Sequence, residues 1–156
     1  MRLTVNDAVH DIAAEPQRLL LHVLRHDIGV SGPKYGCGLG QCGACLVLID
    51  RKAARSCVIP AGAAIGARVT TLEGLAKGGV LHPVQRAFLA MQGAQCGYCL
   101  NGMVIRTVAL LEAVAAPSEA EIREALCYNL CRCGAHAEIL ASVRHAVKLL
   151  EEGGSR

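Results

Sequence analysis

Lys34-Tyr35-Gly36-Cys37-Gly38-Leu39-Gly40-Gln41-Cys42-Gly43-Ala44-Cys45 is the stretch on which the reading of this chain turns. It holds three cysteines in a C-x4-C-x2-C spacing threaded by four glycines, and a lone fourth cysteine follows at Cys57. A loop this tight needs backbone conformations that a Cβ forbids. It also lets main-chain N–H groups come up to sulfur, where they stabilise negative charge. Three thiolates on one loop and a fourth from another segment can grip a compact group from two sides. The fourth is expected on the strand opposite the loop.

Working outward, residues 2–5 and 8–12 alternate about Asn6-Asp7 and read as a hairpin. Residues 18–28 place apolar side chains at 20, 21, 24 and 28, one face of a helix that Gly29 would stop. After the loop at 31–45 come a strand over 46–49, a turn over 50–52, a returning strand over 53–58 and a short strand at 68–70. The first half is therefore β-rich. The second half reads as four helices, over 83–91, 101–114, 119–126 and 136–150, with a frayed tail over 151–156. Ser118 is the expected cap of the third, and Ile139, Leu140, Val143, Val147 and Leu150 line the fourth. The boundary falls near Thr71–Gly79, giving domains of residues 1–75 and 76–156. Units of about 75 residues are marginal on apolar burial alone and gain from a metal staple.

Composition narrows the classes. Of 156 residues 53% are apolar, 19% are charged, and the aromatics are three Tyr and one Phe. That excludes a disordered tail protein, and no apolar run is long enough to span a membrane. The net charge of +3 is scattered and the aromatics are few, so neither a basic stripe nor a stacking platform for nucleic acid exists. Met1–Asp7 carries no apolar core before a small-residue cleavage site, so the expected location is cytoplasmic, or periplasmic if a signal-bearing partner carries the chain there. Nine cysteines, an odd number, stand in clusters, which favours metal binding over disulfides.

The spacing at Cys37, Cys42, Cys45 and Cys57 is that of plant-type [2Fe–2S] sites. A structural zinc site is the alternative, but zinc sites usually show paired C-x2-C knuckles. A second set follows: Cys96-Gly97-Tyr98-Cys99, then Cys131-Arg132-Cys133 after 31 intervening residues. These pairs lie just before expected helix starts, where unpaired N–H groups and a partial positive charge would stabilise an anionic cluster. On spacing alone this set is open between zinc and iron–sulfur; beside the first loop a second cluster is favoured. Cys127, the ninth, reads as a small buried residue of the third helix, or as a substitute for Cys131 or Cys133.

At these runs the sequence resembles the iron–sulfur subunit of the xanthine oxidase family of molybdenum hydroxylases. The resemblance is carried by Lys34–Cys45 with Cys57, by Leu81–Phe88 followed by Gln95–Cys99 and Gly102-Met103, by Asn129–Cys133, and by Thr71–Leu75 in the linker; it covers residues 2 to 150. It implies an α+β chain: an N-terminal plant-type ferredoxin-like (β-grasp) domain, then a C-terminal four-helix bundle, each with one [2Fe–2S] cluster. It further implies a large partner subunit whose molybdopterin centre oxidises or hydroxylates an N-heterocycle or an aldehyde. Electrons would pass to the helical-domain cluster, then to the ferredoxin-like cluster, then to a flavin subunit or a cytochrome c. Gln95 and Cys133 would lie on the pterin side.

The sequence departs from the family pattern at Leu100-Asn101-Gly102 after Cys99, at Tyr128, and at Gly134-Ala135-His136 after Cys133. Asn101 is a reasonable helix cap in its place. This variant is similar to the small subunits of nicotinate- and isoquinoline-type dehydrogenases. His136 reads as a solvated side chain or as a neighbour of the pterin; His82 and His10 read as structural; Lys34 and Arg132 could offset cluster charge. No nucleophile with a base and no dinucleotide loop is evident, so substrate chemistry belongs to a partner. A free ferredoxin-like carrier is the alternative, yet such a carrier needs only one cluster.

Overall fold

A computed structural model describes residues 1–153. Two tight hairpins open and widen the sheet. Strands β1 (Arg2–Val5) and β2 (Ala8–Asp11) turn through Asn6 and Asp7, both at positive φ. Strands β3 (Leu46–Ile49) and β4 (Lys52–Arg55) turn through Asp50 and Arg51, again at positive φ. Positive φ at both central residues matches the right-handed twist of the flanking strands. Strand β5 (Arg68–Thr70) lies between the hairpins, parallel to β1 and antiparallel to β3, so the sheet is mixed with order β2-β1-β5-β3-β4.

Two expectations are corrected here. The helix read over 18–28 is a single turn, α1 (Leu20–His22), widening into a π turn over Val23–Asp27. Its start is pinned from outside: Leu19 bridges Pro60, and Leu20 and Leu21 donate their N–H groups to Ile59 and Ser56. The wider turn brings Val23 inward together with Leu20, Leu21 and Leu24, all fully buried. Strand β4 ends at Arg55 instead of reaching 58, because Ser56 turns its hydroxyl onto the Cys45 carbonyl at 2.7 Å. Cys57 therefore sits in the turn after the strand.

The helices are α2 (Pro83–Ala90), α3 (Leu100–Ala113), α4 (Glu119–Leu126) and α5 (His136–Glu152). Helix α5 carries the chain through Glu152 where a frayed tail from 151 was expected; residues 154–156 of that tail lie outside the described residues. Two capping boxes set α2 and α4: His82 with Gln85, and Ser118 with Glu121. Helix α2 packs on α5, and α3 packs on the other three helices and on β3 and β4. Among the described residues no helix is long and apolar enough to cross a membrane.

Strand β3 joins the two halves. Its period of two sends Leu46 and Leu48 into the helical core, with Phe88, Met103, Val104, Ile105 and Ile139, while Val47 faces the opposite core of Leu3, Val5, Leu20, Leu24 and Val69. Burial of each such side chain contributes about 1.5–3 kcal/mol. The cysteine loop immediately precedes β3 and is held between both layers.

Candidate metal centres

The loop before β3 aims its backbone at sulfur. Leu39, Gln41 and Cys42 direct N–H groups at Cys37 Sγ over 3.3, 3.2 and 3.4 Å, and Cys37 returns its own N–H to Cys42 Sγ at 3.4 Å. Burial works against the Cys37 thiolate, but these donors outweigh it and hold the thiol down to about 6. A Cβ on Gly36 would stand 2.6 Å from Cys42 Sγ, so only glycine leaves that sulfur its place. Cys45 and Cys57 form the inner wall, packed together on Leu21. Burial pushes the Cys45 thiol up to about 12, and the neighbouring Cys57 and Cys42 add to it. Four thiols meeting half in a nest of N–H donors and half in an apolar wall fit a group whose own positive charge ionises them.

The second set closes between two helix starts. Cys96 meets Cys133, and Cys99 meets Cys131. Cys99 is the first flanking residue of α3 and makes no side-chain cap, which leaves its sulfur free. Burial pushes its thiol up to about 12, with Cys131 beside it. Burial also opposes the Cys131 thiolate, yet N–H groups of Ala135, Cys133 and Gly134 at the entry to α5, with the Cys99 thiol, hold it below its ordinary value. The backbone of Tyr98, then the Cys133 thiol, lower Cys96 likewise. These donors lie in the turn ahead of α5 and not in its first helical residues, so a nest of loop amides holds Cys131 where helix N–H groups were expected.

The two sets face each other across a cavity of about 180 Å³ lined by Gly36, Cys37, Cys42 and Ala44 on one side and Cys96, Tyr98, Cys99, Leu130 and Arg132 on the other. Leu130 N–H donates to the Cys42 carbonyl at 3.0 Å, and Tyr98 Oη donates to the Tyr35 carbonyl at 2.5 Å. One hydrogen bond therefore joins a cysteine of the first set to the residue before Cys131.

Asn101 is not the cap expected of it. It lies inside α3, is buried, and donates from Nδ2 to the carbonyls of Ala44 and Leu46, both at 2.9 Å. Beside it a Cβ on Gly102 would fall 2.1 Å from the Gly43 carbonyl oxygen, and one on Gly43 would fall 2.6 Å from Asn129 Nδ2. Sequence reasoning missed this junction of Gly43, Asn101, Gly102 and Asn129. The available signal was Gly102 itself, a glycine just inside a helix where no turn needs it.

Gln95 is exposed next to Cys96, which Cys133 meets, so those residues share one face. His136 is exposed, in keeping with a solvated side chain, and His82 caps α2 by accepting from Val84 N–H through Nδ1 at 3.2 Å. His10 is half-buried in β2. Lys34 Nζ bonds the Ser31 carbonyl, and Arg132 is exposed at the cavity edge. Cys127 is exposed rather than buried: it follows the end of α4, whose single buried residue is Ile122, and its charged neighbour is Arg106.

Known proteins resemble this chain over nearly its whole length. Residues 3–81 match a model of the 2Fe-2S iron-sulfur cluster binding domain, and residues 71–144 match a model of the [2Fe-2S] binding domain. The chain is 54% identical to one of the subunits of nicotinate dehydrogenase from Pseudomonas putida, over 94% of its own length and 93% of that protein's. It is 48% identical to the alpha subunit of isoquinoline 1-oxidoreductase from Brevundimonas diminuta, covering 83% and 84% of the two chains. The chain belongs to the iron–sulfur small subunits of the molybdenum hydroxylases. As such it carries two [2Fe–2S] clusters and transfers electrons within an oxidoreductase complex. A chain of quinoline 2-oxidoreductase from Pseudomonas putida superposes with a TM-score of 0.90 at 35% identity, covering 98% of this small subunit and 97% of that chain. The aldehyde oxidoreductase of Desulfovibrio desulfuricans superposes with a TM-score of 0.91 at 37% identity, but the iron–sulfur subunit spans only 17% of that longer chain.

Proposed function

We propose that Cys37, Cys42, Cys45 and Cys57 hold one [2Fe–2S] cluster in a β-grasp domain of residues 1–75, and that Cys96, Cys99, Cys131 and Cys133 hold the other in a four-helix bundle of residues 76–156. The observation that carries this reading is the convergence of the eight thiols into two facing sets, joined by the Leu130-to-Cys42 hydrogen bond. Iron supplies one-electron redox chemistry; the protein fixes the sulfurs, screens them with N–H groups and sets the two groups across one gap.

In this reading a large molybdopterin-bearing subunit docks on the face of Gln95, Cys96 and Cys133, and its substrate is an N-heterocycle. Relatives named for nicotinate and isoquinoline support that class at higher identity than the aldehyde oxidoreductases. Electrons enter at the second set, cross to the first and leave to a flavin-bearing subunit or a c-type cytochrome. Assembly in the cytoplasm suits nine unpaired cysteines, which need a reducing compartment until iron is inserted.

The test is anaerobic purification of the chain with whatever binds it, followed by metal analysis and low-temperature EPR. About four irons per chain, two distinct signals and a molybdenum-containing companion are expected. A colourless zinc protein, or a single signal, overturns the assignment.

A further inference from the structure

Arg55 and Arg106 are two cations that no carboxylate among the described residues pairs with. Arg55 closes β4, two residues before Cys57, and its stem lies over the first cysteine loop: a Cβ on Gly40 would stand 3.4 Å from its Cδ. Arg106 projects from α3, the helix packed against β3 and β4. Both are half-buried, and Arg55 Nη1 and Arg106 Nε are shut off from solvent without an acceptor. Among the described residues, neither belongs to any ion pair or donates any side-chain hydrogen bond. Burial first, then the charge of Arg55, push the Arg106 guanidinium downward, against a smaller opposing pull from the Cys127 thiol. A guanidinium does not escape by losing its proton at ordinary pH, and a half-buried cation without a counter-charge is costly.

Arg106 stands beside Arg55, with the Cys127 thiol as its other neighbour, and Arg55 lies against the loop that opens the first thiolate set. With its iron and sulfide that group carries about −2 when oxidised and −3 when reduced. We infer that Arg55 and Arg106 are fixed counter-charges of the first cluster, stabilising its reduced form and so making it the receiving end of the relay. The inference rests on the ligand assignment above. Each transfer adds one electron to the first cluster as the second loses one, and two positive charges favour the state with the extra negative charge. Among the described residues the second set has no matching pair: Arg132 beside it is exposed, where water and salt screen it.

The experiment is an EPR-monitored redox titration of the assembled complex, taking the first-cluster signal as the one that Cys42→Ser removes. Arg55→Gln and Arg106→Gln should each weaken the reduction equilibrium of the first cluster about three- to tenfold, tenfold being about 59 mV for one electron. The second midpoint should stay in place. Arg55→Lys and Arg106→Lys keep the charge and should hold the native midpoint, which a merely structural role would not predict. If Arg106→Gln does not fold, Arg55→Gln at the strand end carries the test. Unmoved midpoints in the Gln variants, or equal shifts of both clusters, overturn the inference. A native complex without two signals overturns the ligand assignment as well, so the two failures are distinguishable.

Discussion

Cys42 and Cys127 make the sharpest contrast among the nine thiols. Cys42 receives the Cys37 N–H on sulfur and the Leu130 N–H on its carbonyl, so it belongs both to the first set and to the bridge between sets. Cys127 is exposed and stands with Arg106, outside either set. Cys42→Ser is expected to halve the iron content and remove one of two EPR signals; loss of neither, read by iron assay and EPR, would discard the first ligand set. Cys127→Ala is expected to leave both unchanged. Gly102 decides a different question. Alanine usually strengthens a helix over glycine by about 0.5–1 kcal/mol, yet here the new Cβ would meet the Gly43 carbonyl oxygen at 2.1 Å, a backbone atom that cannot rotate away. Gly102→Ala is therefore expected to lower unfolding free energy by about 1–3 kcal/mol, and a denaturant midpoint at or above the native value would contradict the close approach. The eight thiols were legible because their spacing is local. Asn101 and Asn129 were not, because they meet Ala44, Leu46 and Gly43 from more than fifty residues away and no periodicity encodes it.

Helix α2 shows how one cap couples an element to pH. His82 Nδ1 accepts from Val84 N–H while Gln85 returns the bond to His82 N–H at 3.0 Å, so the cap works only with a neutral imidazole. Burial lowers the His82 pKa from 6.5, against the opposing pull of Glu112. The unfolded chain thus takes up a proton at higher pH than the folded one. The contribution of the cap is whole above about 6.5 and is lost as pH falls below it towards the depressed folded value. Asn at this position keeps an acceptor that does not titrate. The fall in melting temperature between pH 7.5 and 5.5 should be smaller in His82→Asn than in the native chain, and equal falls would remove His82 as the cause. His82→Ala, lacking any acceptor, should cost about 0.5–2 kcal/mol at neutral pH. Caps of this kind are written in adjacent residues, as Ser118 before α4 was. The π turn after α1 is different in kind: its start is fixed by Pro60, Ile59 and Ser56, which sequence periodicity in 18–28 could not reveal.

At the scale of the whole molecule, a change of character near residue 75 is plain in the sequence, whereas the cohesion across it is not. Leu46 and Leu48 stand in the first half but bury their side chains among α2, α3 and α5. Asn101 ties α3 to the backbone on either side of Cys45, and Glu73 in the linker accepts N–H groups of Ser31 and Gly32 at 2.9 and 2.6 Å. Detaching the helices would therefore expose one face of β3 and leave a buried polar network without partners, a loss borne by both halves together. That cohesion also serves transfer: a fixed gap between the two sulfur sets requires that neither half rock on a hinge. Stability should accordingly be shared instead of divided. In native-state hydrogen exchange, amides of β3 (Leu46–Ile49) and of the buried face of α3 are expected in one slowest class, opening together with a common free energy. Exchange of α3 amides at a free energy lower by more than about 1 kcal/mol would mean that the helical half opens alone, and the rigid spacing between the two sets would then lose its structural basis.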